Sequence, residues 1–131
     1  MKTNILVSIS LIVLLAATFG WAQPWSLRAN IPFQFSVERM SLPAGQYDFI
    51  PTGTNDENIR IVSEKKGGPS GMALVQTRLG KGINTTPQAH LVFDKVGDTY
   101  FLSEVWFPGI DGYLLHSTKE KHEHRTVDAP R

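Results

Sequence analysis

The 131-residue sequence contains no cysteine. Disulfide staples, zinc ribbons with cysteine ligands, thiol catalysis and a lipid anchor on an N-terminal cysteine are therefore excluded. The chain also lacks an excess of charge of either sign, because 13 Lys and Arg stand against 12 Asp and Glu. Nucleic acids and anionic membranes attract proteins through a concentrated basic surface, so we expect neither as a partner. What remains is the composition of one small domain that must be stabilised by a hydrophobic core.

Long hydrophobic runs are absent after the first 22 residues. Lys2 precedes an apolar stretch from Ile5 to Phe19, and Gly20-Trp21-Ala22 follows. This order is typical of a signal peptide that is cleaved after Ala22, and the run is shorter than the about 20 apolar residues of a spanning helix. We therefore predict a signal peptide over residues 1–22, no membrane span after cleavage, and an exported protein, periplasmic or extracellular. The lack of cysteine favours a bacterial envelope.

Helical periodicity is also missing from the rest of the chain. Apolar and polar residues alternate instead, and Gly, Pro and Asn separate the alternating segments, which is typical of β-strands. The predicted strands are Ile31–Val37, Gln46–Ile50, Ile59–Ser63, Met72–Arg78, Ala89–Val96, Thr99–Phe107 and Tyr113–His116. The sequence thus predicts a single all-β domain over residues 23–116, a small antiparallel sandwich or barrel of about six to eight strands.

The clearest hairpin joins Ala89–Val96 to Thr99–Phe107, because only Gly97-Asp98 separates the two strands. This spacing predicts a two-residue turn of the primed type. Both alternating sets of residues in Thr99–Phe107 carry aromatic side chains, which predicts a strand in the centre of the sheet system. Spare rings on the Phe101 and Phe107 face are candidates for a contact surface.

Potential metal ligands are concentrated near the C-terminus, in a stretch that ends the predicted domain. They are His116, Glu120, His122, Glu123 and His124. Imidazoles and carboxylates bind zinc, copper or nickel, but good sites need a supporting shell, and this stretch has no apolar anchors. We expect Ser117–Val127 to be a polar helix or a disordered part of a solvated tail over residues 117–131. No metal site and no cofactor is predicted.

Other polar groups give no catalytic signature. Asn55-Asp56-Glu57-Asn58 offers oxygen ligands but lacks the pattern of a calcium loop, so it is interpreted as a polar turn. Gly67–Gly71 lacks the Lys-Ser/Thr end of a phosphate loop and is interpreted as a connection between strands. His90 and Asp94 share a face of one strand but lie roughly 13 Å apart along it, too far for a hydrogen bond. The recognised hydrolase motifs are missing as well, so we predict no enzyme.

Three short blocks follow one another in the chain. They are Asn30-Ile31-Pro32-Phe33, Leu42-Pro43-Ala44-Gly45 before Tyr47, and Gly97-Asp98 before Tyr100-Phe101-Leu102-Ser103 and Trp106. With the N-terminal signal, this layout resembles a group of small exported uncharacterised β proteins common in acidobacterial genomes. The resemblance implies an exported β domain of a cell envelope, and it implies no substrate, cofactor or catalytic residue.

These features together favour a non-catalytic binding or structural module of the envelope or the secreted fraction. Its partner would be an envelope protein, a glycan or a small apolar ligand. One alternative is a carrier that holds a small apolar ligand inside a lipocalin-like barrel. A weaker alternative is a hydrolase whose carboxylates converge from distant segments.

Overall fold

The structure, a computed structural model, describes residues 26–80, 88–108 and 112–129. These ranges contain eleven β-strands and no helix, and so no helix that could cross a membrane. The strands are β1 (Leu27–Ile31), β2 (Phe35–Val37), β3 (Met40–Leu42), β4 (Gly45–Thr52), β5 (Asn58–Ser63), β6 (Ser70–Leu74), β7 (Thr77–Leu79), β8 (His90–Val96), β9 (Thr99–Trp106), β10 (Gly112–Leu114) and β11 (Glu123–Asp128). The predicted signal peptide lies outside the described residues.

The strands form two sheets. Sheet A has four antiparallel strands in the order β1-β4-β5-β6, and sheet B has the order β11-β8-β9-β10-β7. The β2–β3 hairpin joins sheet B through β2, which makes a short parallel pairing with β9 at Ser36 and Phe101. The sheets do not close into a barrel, so the all-β prediction is confirmed in its sandwich form.

Aromatic and branched side chains from both sheets fill the space between them. Phe35, Tyr47, Phe49, Phe93 and Phe107 are fully buried there. The Phe35 ring meets the Tyr47 ring edge to face at 5.3 Å and the Phe93 ring at 5.6 Å. Such edge-to-face pairs suit the charge distribution of aromatic rings, and their burial adds to the hydrophobic stabilisation of the core.

The segment Ile31–Val37, predicted as one strand, is two strands in different sheets. β1 ends where Ile31 pairs with Gly45 of sheet A, and β2 begins at Phe35 in sheet B. Pro32 has no N–H to continue the ladder of β1. Ile31, Phe35 and Val37 are nevertheless all buried, because the crossing segment preserves the alternation along the chain.

The predicted strand Met72–Arg78 also divides, into β6 of sheet A and β7 of sheet B. At the crossing, the Val75 amide donates to the carbonyl of Glu57 in sheet A, and the Gln76 amide donates to the carbonyl of Leu114 in sheet B. These two divisions, the short β3 and the C-terminal β11 raise the strand number from the expected six to eight to the observed eleven.

The hairpin of β8 and β9 is confirmed. Val96 pairs with Thr99 across Gly97-Asp98. Gly97 has a φ of 60°, as the first central residue of a type II′ turn requires. β9 lies between β8 and β10, so its predicted central position is confirmed.

A β-bulge interrupts this hairpin at Ser103. Val92 pairs with Glu104 whereas Phe93 pairs with Leu102, so Ser103 is the extra residue of β9. The bulge changes which residues of β9 point inward, and it explains why both alternating sets contain apolar side chains. The expectation that Phe101 and Phe107 share a face is therefore wrong, since Phe107 is fully buried and Phe101 is half-buried outside the core.

The C-terminal segment is neither a helix nor a disordered tail between residues 123 and 128. It forms β11, which pairs with β8 along its whole length, from Glu123 with Lys95 to Asp128 with His90. Two apolar anchors fix this edge strand. Val127 packs against the core, and Ala129 is buried and donates its amide to the Ala89 carbonyl.

Candidate functional site

The outer face of sheet B gathers histidine and aromatic side chains. His90 and Asp94 share one face of β8, the face opposite to the buried Leu91 and Phe93. Across the sheet, His90 pairs with Trp106, and Asp94 pairs with Phe101 on one side and His124 on the other. Because paired residues of an antiparallel sheet project to the same side, these side chains form neighbouring rows on the outer face.

Two of the four histidines stack on aromatic rings. The His90 ring lies parallel to Trp106 at 5.7 Å, and the His116 ring lies parallel to Phe101 at 4.8 Å. His90 and Asp94 contact different partners, as their spacing along a strand predicts. The Ser103 hydroxyl donates to the backbone carbonyl of His116 at 2.7 Å, and the hydrogen bond of the His90 imidazole is to the carbonyl of Gln88.

The other two histidines converge on Asp94. Asp94 is 2% exposed, although it lies on the outer face of the sheet. Its Oδ1 atom is 3.0 Å from His124 Nδ1 and 3.9 Å from His122 Nε2. One donor atom from each of the three residues lies within 4.8 Å of the others. These three residues, called the Asp94 cluster below, are the group in the described ranges that could hold a metal ion.

The backbone fixes the orientation of one of these imidazoles. His122 Nδ1 is 2.7 Å from the carbonyl oxygen of Glu120. A carbonyl oxygen only accepts, so Nδ1 is the donor, and Nε2 of the neutral ring carries a lone pair. A hollow of about 250 Å³ adjoins His122 and is also lined by Lys95, Gly97, Lys121 and Glu123.

The sequence pattern singles out His122 and His124 as potential metal ligands, but it does not identify Asp94 as their partner. The polar stretch up to Arg125 predicts a solvated tail, because the anchoring residues, Val127 and Ala129, come only after it. The alternation of Val127 and Ala129 with polar residues is the local pattern that indicates a strand here. The pairing of β11 with β8 that brings Asp94 beside His124 is a long-range contact that no local pattern reveals.

A second surface of the described residues, away from the Asp94 cluster, carries large exposed hydrophobic side chains. They surround the edge strand β6. They are Met40, Met72 and Leu74, which are 44%, 51% and 61% exposed. The Met40 sulfur lies against one side of β6, 3.7 Å from the position that a Cβ on Gly71 would take. Met72 and Leu74 project from the opposite side of the same strand. We call these three residues the edge patch.

A groove of about 300 Å³ adjoins the edge patch. It lies where sheet B forks between β2 and β10, and Val37, Leu74, Phe101, Leu102 and Leu115 supply its apolar lining.

Glu38 links the fork to β6. Its carboxylate accepts the Leu74 amide at 2.8 Å, which satisfies an outward-pointing donor at the sheet edge. Glu38 also adopts a φ of 52°, an unusual conformation for a residue other than Gly, Asn or Asp, at the turn between β2 and β3.

The predicted polar turn is confirmed for Asn55, Asp56 and Glu57, and Asn58 is the first residue of β5. Glu57 Oε2 accepts the Asn55 amide at 2.9 Å, and this hydrogen bond, followed by that to its own amide, lowers the pKa of Glu57. Arg78 donates to the Asn55 carbonyl, and Asp56 accepts a hydrogen bond from the Tyr113 hydroxyl. The acidic oxygens thus face protein donors of neighbouring elements.

The predicted connection Gly67–Gly71 is confirmed up to Pro69, whereas Ser70 and Gly71 already belong to β6. The Ser63 amide donates to the Pro69 carbonyl. Most of the aromatic rings of the described residues lie in the core or pack against it. Burial of Tyr47 raises its pKa, and its hydroxyl donates to the Pro43 carbonyl at 2.6 Å. Trp25 lies outside the described residues.

Comparisons of the chain with protein-family models, with curated proteins and with solved structures find no match.

Proposed function

We propose that this chain is an exported, non-catalytic binding module of a bacterial envelope, and that it holds a partner protein through the edge patch. Export rests on the signal-like first 22 residues. The binding surface rests on one observation, the concentration of Met40, Met72 and Leu74 around one edge strand beside an apolar groove. Scattered exposed hydrophobic residues need no explanation, whereas a cluster at a sheet edge marks a contact surface.

The chemistry of the patch favours a protein over a glycan or a lipid. Sugars are bound by exposed aromatic rings, whereas the patch presents two flexible thioethers and one aliphatic side chain. Methionine adapts its shape to apolar side chains and is common at protein-binding surfaces. The balanced charge of the chain gives no attraction to an anionic membrane.

The packed interior supports this module over a carrier of small apolar ligands. A carrier of the lipocalin type holds its ligand inside a closed barrel. Here the two sheets remain separate, and side chains such as Phe35, Phe49 and Phe93 occupy the space between them.

The test is native mass spectrometry of the full chain expressed in its own host and purified gently from the envelope. We expect the wild-type chain to retain one protein of defined mass. Met72→Lys places a charge in the contact and should reduce that complex at least about tenfold, because an unpaired buried charge is costly. Thr99→Lys is the matched control at the exposed turn of the β8–β9 hairpin and should leave the complex intact.

Two outcomes would contradict the proposal. One is a bare wild-type monomer that no envelope fraction retains, and the other is a complex that Met72→Lys leaves unchanged. A retained small apolar molecule in place of a protein would favour the carrier. Because position 72 is half exposed, thermal denaturation should show the same stability for both variants and the wild type.

A further inference from the structure

We propose that Asp94, His122 and His124 bind a divalent transition-metal ion, for which zinc is the best fit. The Asp94 cluster lies on the outer face of sheet B, away from the edge patch. The ion would join β11 to β8, since Asp94 belongs to β8 while His124 belongs to β11 and His122 directly precedes it.

The spacing of the donor atoms matches that of ligands around one ion. Two ligands about 2.0–2.1 Å from a tetrahedral zinc ion lie about 3.3 Å from each other. The two separations from Asp94 Oδ1, 3.0 Å to His124 Nδ1 and 3.9 Å to His122 Nε2, lie on either side of this value. The third separation, between the ligand nitrogens of the two imidazoles, is within 4.8 Å. The three atoms therefore reach a common centre when the two imidazole rings move closer to each other.

Asp94 supplies the second, independent observation. Its Oδ1 atom is buried and has no hydrogen-bond partner among the residues that the structure describes. Although His124 Nδ1 is close, the contact lacks the geometry of a hydrogen bond. A buried carboxylate oxygen without a hydrogen-bond partner is costly, and a cation placed between Asp94 and the two imidazoles would compensate it.

The surroundings of His122 resemble those of metal-binding histidines. Such imidazoles donate their second nitrogen to a carboxylate or a backbone carbonyl, which sets the tautomer and holds the ring in place. The hydrogen bond from His122 Nδ1 to the Glu120 carbonyl does this, and it directs Nε2 toward Asp94. His124 has 63% of its side chain exposed, so ions reach the cluster from solvent.

The donor set also selects the class of metal. Calcium and magnesium prefer sites made of oxygen ligands only, whereas imidazole suits zinc, copper, nickel and iron. Two imidazoles and one carboxylate provide three ligands, which leaves the fourth tetrahedral position to water.

The decisive experiment is a calorimetric titration of the full chain, produced without a histidine tag, with zinc chloride. We expect one equivalent of zinc for the wild-type chain. Asp94→Asn keeps the shape of the side chain but removes its charge, and it should weaken binding at least about 100-fold, beyond the loss seen when a supporting residue is changed. His124→Gln should weaken zinc binding to a similar extent. Because the His124 side chain is 63% exposed, this substitution should not disrupt the fold.

The two remaining histidines provide matched controls. His90→Gln and His116→Gln remove an imidazole from the same face of the sheet but not from the Asp94 cluster, so they should bind zinc like the wild-type chain. A second measurement uses cobalt, which gives strong visible absorption when it is four-coordinate. We expect this absorption for the wild type and the two controls only.

Binding by the surface pair His122 and His124 alone would overturn the proposal. It would appear as zinc affinity in Asp94→Asn equal to that of the wild type. Absence of one-site binding in the wild type would overturn it as well. Thermal denaturation distinguishes loss of the site from loss of the fold, because Asp94→Asn should melt cooperatively without zinc and should not gain stability when zinc is added.

Discussion

The two sheets of the sandwich differ in regularity. In sheet A, β4 pairs with β1 and β5 without any shift of register. In sheet B, β9 contains a bulge and the sheet forks where β2 and β10 meet the same strand. Both of the buried polar residues found among the described residues, Asp94 and Ser103, belong to sheet B.

This difference shows where a small β domain places its polar groups. An extra residue at Ser103 lets its carbonyl accept the Leu115 amide and its hydroxyl donate to the His116 carbonyl, so the bulge holds the segment after β10. A regular ladder uses its backbone groups internally and offers no such contacts. Sheet A therefore contributes mainly core residues and the edge strand β6, whereas the Asp94 cluster lies on sheet B.

The largest expected effect comes from the core that both sheets share. Leu102 of sheet B is buried, whereas Leu74 of sheet A is exposed. We expect Leu102→Ala to reduce the free energy of unfolding by about 2–5 kcal/mol, because it removes buried methyl groups and leaves a cavity. Leu74→Ala, the same substitution at the edge, should change it by less than about 0.5 kcal/mol. Urea denaturation of both variants measures the difference.

Equal losses in the two variants would show that Leu74 is buried in the protein in solution. A negligible loss in Leu102→Ala would contradict the assignment of the bulge to Ser103, since β9 would then present its other face to the core.

A smaller effect is expected where the sheets differ in the packing of glycine. A Cβ on Gly112 in sheet B would lie 2.5 Å from Cδ2 of Trp106, whereas a Cβ on Gly71 in sheet A would meet its neighbours at an ordinary 3.7 Å. Gly112→Ala must displace the indole from its stack on His90, at a cost of about 1–3 kcal/mol. Gly71→Ala should be neutral or slightly stabilising, because glycine weakens a strand. Thermal denaturation compares them, and a loss in Gly71→Ala as large as that in Gly112→Ala would refute the contrast.

Much of the fold could be predicted from alternation and turn residues. Ile59 and Ile61 identify the inner face of β5, and Gly97-Asp98 identifies the central hairpin. Alternation cannot tell which sheet a strand joins, because the inner faces of both sheets meet in the same core. Phe33 and Phe35 therefore continue the pattern of Ile31 although the chain crosses between the sheets there.

The candidate sites depended more on distant contacts. The pairing of β11 with β8 brings His124 to Asp94 across thirty residues of sequence, and the polar composition around His122 is equally typical of a solvated tail. The edge patch is not predicted by the sequence either, since Met40 comes close to β6 only after β3 and β6 have joined different sheets.

The smallest expected effect concerns the turns of the two sheets. Gly97 in sheet B and Gly67 in sheet A have φ values of 60° and 74°, and neither has a neighbour within 4 Å of a built Cβ. Gly97→Val should cost about 1–2 kcal/mol, because a β-branched residue is strained at positive φ and a two-residue turn cannot change its conformation without breaking the Val96–Thr99 pair. Gly67→Val should cost less, since the longer connection between β5 and β6 can redistribute its backbone angles. Unchanged thermal stability of Gly97→Val would show that the β8–β9 hairpin can adopt a turn without positive φ at position 97. The two-residue turn of sheet B would then be as adaptable as the longer connection in sheet A.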